Sequence, residues 1–197
     1  MRIIAGKYKG KEIKTVDSKA TRPTTAKVRE AWASVVSGYF DFDLSGLRVL
    51  DAFAGSGALG LELLSRGAEA VIFCDKSPAA IKVLRHNLDN LGDDWALRHS
   101  QVLQRDMLHQ HVPVPDLNGS LLQGSIANVT VEPGGQAYDV VILDPPYVVK
   151  PAALAHLLEL PGLVSYEHAS RSNYDDERIF ATKTYGRIAI SFLRSLF

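Results

Sequence analysis

Short apolar runs alternate with segments of helical periodicity through most of the chain. The runs end at glycine, proline or aspartate, as buried strands do, and the segments between them place apolar residues at helical spacing. The predicted strands are 47–53, 70–74, 101–104, 138–143, 163–167 and 187–193, and the predicted helices are 59–65, 77–91 and 151–160. This alternation predicts an α/β, doubly wound fold with a mostly parallel sheet covered on both faces.

The first 36 residues have a different pattern. In residues 2–16, two short apolar runs flank a turn rich in glycine and lysine, which predicts a β-hairpin. The turn Arg22-Pro23-Thr24-Thr25 then precedes apolar positions at helical spacing. We therefore predict an N-terminal hairpin and helix at residues 1–36, followed by the main domain at residues 37–197.

Residues 109–137 fit neither pattern, because they hold several prolines and glycines and show little periodicity. Loops of this length are uncommon inside compact domains. We predict a surface insertion, with a short hairpin near 126–131.

Composition narrows the class of protein. A chain of 197 residues with 46% apolar and 22% charged residues is typical of one globular domain. Its apolar runs are too short to span a bilayer, so no membrane partner is expected. The single cysteine, Cys74, excludes an internal disulfide and is predicted to lie in the core. We expect a cytoplasmic monomer without a bound metal.

Basic side chains are concentrated near the N terminus, although 22 basic and 22 acidic residues balance over the whole chain. Residues 1–36 contain nine basic and three acidic side chains, a net charge of +6, which leaves −6 for the rest. A basic arm on an acidic body indicates contact with a polyanion, whereas the alternative is a solvated tail. The candidate contact residues are Arg2, Lys7, Lys9, Lys11, Arg22 and Arg29.

A glycine-rich turn follows the first strand of the main domain. Gly55, Gly57 and Gly60 have the spacing of a dinucleotide-binding loop, and Asp75 ends the next strand, where it can bind ribose hydroxyls. Asp51 precedes the glycines. A carboxylate there suits the amino group of S-adenosylmethionine (AdoMet) and repels a pyrophosphate. AdoMet is therefore favoured over NAD.

The predicted strand at 138–143 is clearly apolar and is followed by Asp144-Pro145-Pro146-Tyr147. Two prolines fix the backbone, so that the Asp144 carboxylate and the Pro145 carbonyl can point outward as adjacent acceptors. Adjacent acceptors match the two N–H donors of an exocyclic amino group, and the Tyr147 ring offers a surface on which a flipped base can stack. These four residues are the predicted catalytic site.

The chain resembles the bacterial 16S ribosomal RNA guanine-N2 methyltransferase family, RsmD. The resemblance rests on motifs near both ends of the chain: Arg2-Ile-Ile-Ala-Gly, Arg22-Pro-Thr-Thr, Val28-Arg-Glu-Ala, Leu50-Asp-Ala-Phe-Ala-Gly-Ser-Gly, Asp144-Pro-Pro-Tyr and Glu167-His168. It departs from the family at Asp75, where glutamate is usual, and in the length of the insertion at 109–137.

The resemblance implies a Rossmann-like AdoMet-methyltransferase fold with seven strands, the last of them antiparallel. From its charge, the N-terminal segment at residues 1–36 is predicted to dock RNA. It implies AdoMet as cofactor, with the 51–57 backbone at the methionine, Asp75 at the ribose, and Asp106 and Met107 near the adenine. The predicted cofactor-binding residues are Asp51, Ala52, Phe53, Gly55, Gly57, Asp75, Lys76, Asp106 and Met107. Because the cofactor site begins at Asp51, we expect the core to fold without residues 1–16.

The resemblance also implies methylation of guanine N2 in ribosomal RNA of the small subunit. The motif itself permits adenine N6 and cytosine N4 equally and does not separate RNA from DNA. A DNA amino-methyltransferase is therefore the main alternative. An NAD-dependent oxidoreductase and a non-catalytic RNA-binding module are more distant ones.

Overall fold

The computed structural model describes residues 1–16, 25–112, 138–172 and 174–194, which form one seven-stranded sheet with helices on both faces. The strands are β1 (Arg48–Asp51), β2 (Ala70–Asp75), β3 (Ser100–Gln104), β4 (Val140–Leu143), β5 (Leu163–Ala169), β6 (Ile179–Tyr185) and β7 (Ile188–Arg194). The helices are α1 (Ala26–Tyr39), α2 (Ala58–Ser65), α3 (Pro78–Leu91), α4 (Asp94–Arg98) and α5 (Ala155–Leu158), with a 3-10 helix at Pro151–Leu154.

The strand order is β3-β2-β1-β4-β5-β7-β6. Strands β1 to β5 are parallel, whereas β7 runs antiparallel to both β5 and β6. The order reverses between β1 and β4, and in open α/β sheets such a reversal opens a crevice at the carboxyl ends of the strands. The structure confirms the predicted doubly wound fold and the seven strands.

Alternate residues of the central strands supply two hydrophobic cores. Val49, Val71 and Val140 belong to the core that contains α1, α2 and α3. Leu50, Ile72 and Val141 belong to the core on the other face, which contains α5. Burial on both faces explains why these strands appear in the sequence as continuous apolar runs.

Side chains that cap helices fix where two of the helices begin. The Thr25 side chain accepts a hydrogen bond from the Val28 N–H, and the Ser77 side chain accepts one from the Ala80 N–H. Pro78 takes the first position of α3, where no N–H partner is needed. These starts agree with the turn predicted before α1 and with the helix predicted over 77–91.

Three elements differ from the prediction. The N-terminal hairpin contains a single antiparallel bridge, Arg2 to Glu12, in place of two strands. Helix α4 and strand β6 were not predicted at all. Helix α4 has only five residues and depends on the Asp93 cap, and β6 is an edge strand whose half-buried face lacks a continuous apolar run.

The first 16 residues, here called the arm, are part of the main core. Ile3, Tyr8 and Ile13 are buried in it. The buried Glu62 carboxylate of α2 accepts hydrogen bonds from the Ile4 and Ala5 N–H groups, at 2.9 and 3.1 Å. Deleting the arm would expose this core and leave a buried carboxylate without those donors. The arm is therefore packed into the domain and does not simply extend from it, while the expectation that the core folds without residues 1–16 stays a prediction.

Two predictions fall outside the described residues. Arg22 is one of them, and most of the insertion, residues 113–137, is the other. Among the described helices, none is both long and apolar enough to cross a membrane.

Candidate active site at the carboxyl edge of the sheet

Four neighbouring parallel strands each bring a carboxylate to the same edge of the sheet. In spatial order, Asp75 ends β2, Asp51 ends β1, Asp144 directly follows β4 and Glu167 lies near the end of β5. The β4–β5 register pairs Leu143 with Tyr166, so that Asp144 and Glu167 come next in the same row. The strand-order reversal lies between Asp51 and Asp144, which divides the row into two pairs.

The glycine loop after β1 has the backbone shape that its sequence predicts. Gly55 and Gly57 have φ values of +55° and +80°, a region that favours glycine. A Cβ on Gly60 would overlap the Phe73 ring, so the first turn of α2 lies directly against β2. Nothing lies within 4 Å of the corresponding point at Gly55. The loop is thus held closely at one end and open at the other, as a ligand-binding turn requires.

Asp51 is a buried carboxyl group without an ion-pair partner among the described residues. Its Oδ2 accepts a hydrogen bond from the Gly60 N–H at 3.1 Å. Burial raises the pKa of Asp51 to about 7, the nearby charge of Asp75 adds to this, and the Gly60 hydrogen bond opposes it. A cation beside Asp51 would offset the cost of its burial. This site therefore fits the amino group of AdoMet.

Asp75 is held at the loop by backbone groups. Its Oδ2 accepts from the Gly55 N–H and its Oδ1 from the Ser77 N–H, both at 2.8 Å. Each carboxylate oxygen has a second lone pair, so Asp75 can still accept from ribose hydroxyls.

The other predicted cofactor-binding residues follow the ends of β1, β2 and β3. Lys76 approaches Asp106 at 3.9 Å, Met107 is buried, and its carbonyl lies 2.9 Å from His156 Nε2. Ala52 donates its N–H to the Ile142 carbonyl, which joins β1 to β4, and Phe53 packs against the core that contains α5.

Asp144 to Tyr147 form a short turn after β4. Pro145 is buried and Pro146 is exposed, while the Tyr147 ring is 57% exposed and followed by the exposed Val148. Burial raises the pKa of Asp144 well above its usual range, and the charges of Glu167 and Asp51 raise it further. Asp144 is thus a stronger proton acceptor than an exposed aspartate once it is ionised.

Glu167 lies at this site; from the sequence, a place near the site and a purely structural role were both open for Glu167-His168, and Glu167 was not among the predicted site residues. Its Oε1 accepts a hydrogen bond from the Tyr147 hydroxyl at 3.0 Å. Burial raises the pKa of Glu167, although hydrogen bonds with Tyr147 and Asp144 oppose this effect. Its position at the end of a predicted parallel strand, beside the strand of Asp144, is the signal that could have identified it.

Asn87 was also missed. Its side-chain amide donates to the Ser56 carbonyl of the glycine loop at 2.8 Å and to the Lys14 carbonyl of the arm at 3.0 Å. Its Oδ1 accepts from the Lys14 N–H at 2.8 Å. Asn87 therefore joins the arm to the glycine loop. No sequence motif marks it.

The predicted RNA-binding residues within the described ranges differ in exposure and in their partners. Arg29 is buried, and its guanidinium donates to the Arg2 carbonyl, so the prediction of a surface contact is wrong for this residue. Lys7 forms an ion pair with Asp93, and Arg2 forms one with Glu12. Lys9 and Lys11 are exposed. Lys9 and Lys11 are therefore the predicted contact residues of the arm that are exposed and form no ion pair within the described residues.

Cys74 is buried at the end of β2, and burial raises its pKa to about 12. The thiol therefore stays protonated and is a poor nucleophile. Over the described ranges, His, Cys, Asp and Glu residues form no group of three that could hold a metal ion.

Curated relatives are similar to parts of the chain. YlbH of Bacillus subtilis (strain 168), provisionally named an rRNA methyltransferase, is 45% identical over 106 residues, which are 54% of each chain. Ribosomal RNA small subunit methyltransferase D of Haemophilus influenzae is 30% identical over 148 residues, which are 75% of this chain and 64% of the relative. The chain therefore spans about half to just under two thirds of the length of these relatives.

A solved structure shows the same fold over the whole chain. The yhhF protein of Escherichia coli, provisionally named a methyltransferase, matches with a TM-score of 0.70 at 24% identity and covers 100% of this chain and 99% of its own. A family model described as "Conserved hypothetical protein 95" matches residues 1–118, more than half of the chain. The chain thus belongs to the Conserved hypothetical protein 95 family, among relatives named ribosomal RNA small subunit methyltransferase D.

Proposed function

We propose that this protein is an AdoMet-dependent methyltransferase that modifies guanine N2 in ribosomal RNA of the small subunit. The observation that carries the proposal is the position of Asp144-Pro145-Pro146-Tyr147, which lies across the strand-order reversal from Asp51 and the glycine loop. A cation-binding carboxylate and an amino-binding carboxylate thus end adjacent strands. The names of the curated relatives support ribosomal RNA as the substrate class.

The residues of the β1–β2 half would hold the cofactor. Asp51 would bind its ammonium group, Asp75 its ribose hydroxyls, and the backbone of the glycine loop its methionine carboxylate. When bound, AdoMet supplies a methyl group on a sulfonium, and transfer to nitrogen leaves the electron pair of the broken C–S bond on sulfur.

The residues of the β4–β5 half would orient the base. The exocyclic nitrogen is a poor nucleophile, because its lone pair is delocalised into the ring. Asp144 and the Pro145 carbonyl would accept its two N–H groups and stabilise the positive charge that develops on nitrogen. Tyr147 would stack on the flipped base. Asp144, whose pKa is raised, would then take the proton that nitrogen loses and release it to solvent.

The geometry disfavours the distant alternatives. An NAD-dependent enzyme would place a pyrophosphate beside the buried Asp51, where like charges repel. A non-catalytic RNA-binding module would have no use for a pair of buried carboxyl groups, Asp144 and Glu167, beside a cofactor loop. The DNA amino-methyltransferase is chemically closest, since adenine N6 and cytosine N4 also carry two N–H donors.

The test uses small ribosomal subunits from a strain that lacks this gene, incubated with the protein and methyl-labelled AdoMet. We expect label in the RNA, recovered as N2-methylguanosine after digestion to nucleosides. Duplex DNA, offered in parallel, should remain unlabelled. Labelled methyladenine or methylcytosine, or labelled DNA alone, would overturn the assignment.

A further inference from the structure

Glu167 carries a buried oxygen without a hydrogen-bond partner. The residue is 6% exposed, and its Oε2 has no partner in the part of the chain that the structure describes. A buried carboxylate oxygen without a donor is costly, so native proteins rarely keep one unless a proton or a ligand supplies the donor. Methyl transfer itself, as derived above, makes no use of this group.

The Glu167 carboxyl group lies beside Asp144. The β4–β5 register places the two residues next to each other in one row, and each carboxyl group shifts the pKa of the other, so they lie within reach of one shared proton. Two ionised carboxylates at this separation repel each other. A ligand that brings two adjacent N–H donors would satisfy both groups without that proton.

The bases differ in what they would bring. Guanine carries N1–H directly beside its N2 amino group, so its edge offers donors in adjacent positions. Adenine has the N1 lone pair beside its amino group, and cytosine has the N3 lone pair there. With the amino group on Asp144, Glu167 would therefore accept a hydrogen bond from guanine and face a lone pair on either of the other bases.

We propose that Glu167 is the specificity-determining residue of this site, whose carboxylate accepts N1–H of guanine while Asp144 and the Pro145 carbonyl accept the N2 amino group. This inference rests on the proposed guanine-N2 function. It names the group that rejects adenine and cytosine, a distinction that the Asp-Pro-Pro-Tyr motif cannot make.

The Tyr147 hydroxyl shows that a donor can reach Glu167 from the open side of the site. It donates to Oε1 from a ring that is 57% exposed. When a base binds, its N1–H can donate to Oε2, the oxygen that lacks a donor in the described residues. Glu167 would then keep a donor even where Tyr147 turns to stack on the base and gives up its own bond to Oε1.

The test compares guanine with 2-aminopurine, which keeps the 2-amino group but has a lone pair at N1. Small subunits are reconstituted with 16S RNA that carries either base at the nucleotide identified by the product analysis. For the unchanged protein, we expect kcat/KM for guanine to exceed that for 2-aminopurine by about 10- to 100-fold, the range of one hydrogen bond to a charged group. For Glu167→Gln, we expect the ratio to fall to about 1–3, because the amide can donate to N1.

Two further variants separate recognition from support. In Glu167→Gln, the amide oxygen can still accept a hydrogen bond from the Tyr147 hydroxyl. In Tyr147→Phe, that hydrogen bond is lost but the Glu167 carboxylate remains, so this variant should retain the preference for guanine. Glu177→Gln, at an exposed glutamate before β6, is the matched control and should also retain it. The lost O6 of 2-aminopurine affects every variant alike and cancels when ratios are compared.

The outcomes distinguish this inference from the proposed function. An unchanged ratio in a folded Glu167→Gln protein that still makes N2-methylguanosine overturns the role of Glu167 alone. Loss of the preference in Tyr147→Phe also overturns it, because Glu167 would then act only through the tyrosine. Methyladenine as the product of the unchanged protein overturns the proposed function itself.

Discussion

The two carboxylate pairs at the edge of the sheet differ in what satisfies them. In the pair of β1 and β2, Asp75 accepts from two backbone N–H groups and Asp51 from a third. In the pair of β4 and β5, Glu167 accepts from the hydroxyl of an exposed tyrosine side chain and keeps one oxygen unpartnered within the described residues. Backbone groups hold the first pair, whereas the second depends on an exposed side chain.

This difference suits two kinds of ligand. A cofactor that binds in every turnover benefits from a site whose acceptors are already oriented. A base that must leave an RNA stack benefits from acceptors that gain their donors only when it arrives, because the gain then offsets the cost of unstacking. Variants of the two pairs should therefore have separable effects on cofactor binding and on turnover.

Asp144→Asn should have the largest effect. The substitution removes the negative charge and the base at the reacting amino group and leaves an amide with a single acceptor oxygen; losing one oriented acceptor of this kind costs about 3 kcal/mol, or roughly 10² in rate. We expect kcat to fall by at least that factor, while the dissociation constant for AdoMet stays within about threefold. Single-turnover methylation and calorimetry measure the two quantities.

The control for this variant is Asp175→Asn, at an exposed aspartate beyond β5, which should leave both quantities unchanged. The melting temperature of Asp144→Asn at pH 7 should not fall, because the change removes a carboxyl group whose ionisation is costly in the folded state. Turnover within threefold of the unchanged protein would show that Asp144 does not hold the reacting nitrogen.

The site residues that could be predicted from the sequence are those identified by short stretches of consecutive residues. Asp51 and Gly55 are four positions apart, and Asp144 to Tyr147 are consecutive. The relative positions of these residues therefore depend on a few neighbouring residues, which a short sequence motif can identify. The central strands could likewise be predicted from their apolar runs, because a strand that is buried on both faces needs apolar residues at successive positions. The Ser77 cap and Pro78 marked the start of α3 for the same local reason.

The rest depends on contacts between distant parts of the chain. Glu62 bonds to residues 57 and 58 positions away, and Asn87 joins the arm to a loop 31 positions away. Charge counting assigned Arg29 to an RNA-binding surface, yet its guanidinium is buried against the arm. Composition gives the number of charges in a segment and not the direction in which they point.

Asp75→Ala should weaken cofactor binding without altering base selection. A charge-assisted hydrogen bond to ribose is worth about 1.5–3 kcal/mol, or roughly 10- to 150-fold in AdoMet affinity. Part of the loss will come from the Gly55 and Ser77 N–H groups, which lose their acceptor. Asp75→Asn keeps one acceptor oxygen and should lose less. Calorimetry that finds equal affinity for all three proteins would place the ribose contact elsewhere.

Cofactor affinity should depend on pH through Asp51. The pKa of Asp51 is raised to about 7, and the ammonium group of AdoMet favours the ionised carboxylate, so affinity should rise with pH and level off above 7. Between pH 5.5 and 7.5, the dissociation constant should fall by about 20-fold. Asp51→Asn should bind more weakly and show no such slope. A slope that survives in Asp51→Asn would assign the proton to another group.

The double substitution Lys9→Gln and Lys11→Gln should have the smallest effect, and it should alter neither cofactor binding nor base selection at the two carboxylate pairs. These two lysines are exposed on the arm, whereas Lys7 is paired with Asp93 and Arg29 is buried. Each phosphate contact contributes about −0.7 to the slope of log affinity against log salt concentration for single strands, so losing two should flatten the slope by about 1.4. AdoMet affinity and the guanine preference should stay as they are.

Because the arm is packed into the core, this double substitution tests its charge separately from its packing, which deletion of residues 1–16 cannot do. Lys82→Gln, at an exposed lysine on α3, is the matched control. RNA affinity measured at four or more salt concentrations gives the slope. A slope equal to that of the unchanged protein would show that Lys9 and Lys11 do not contact RNA.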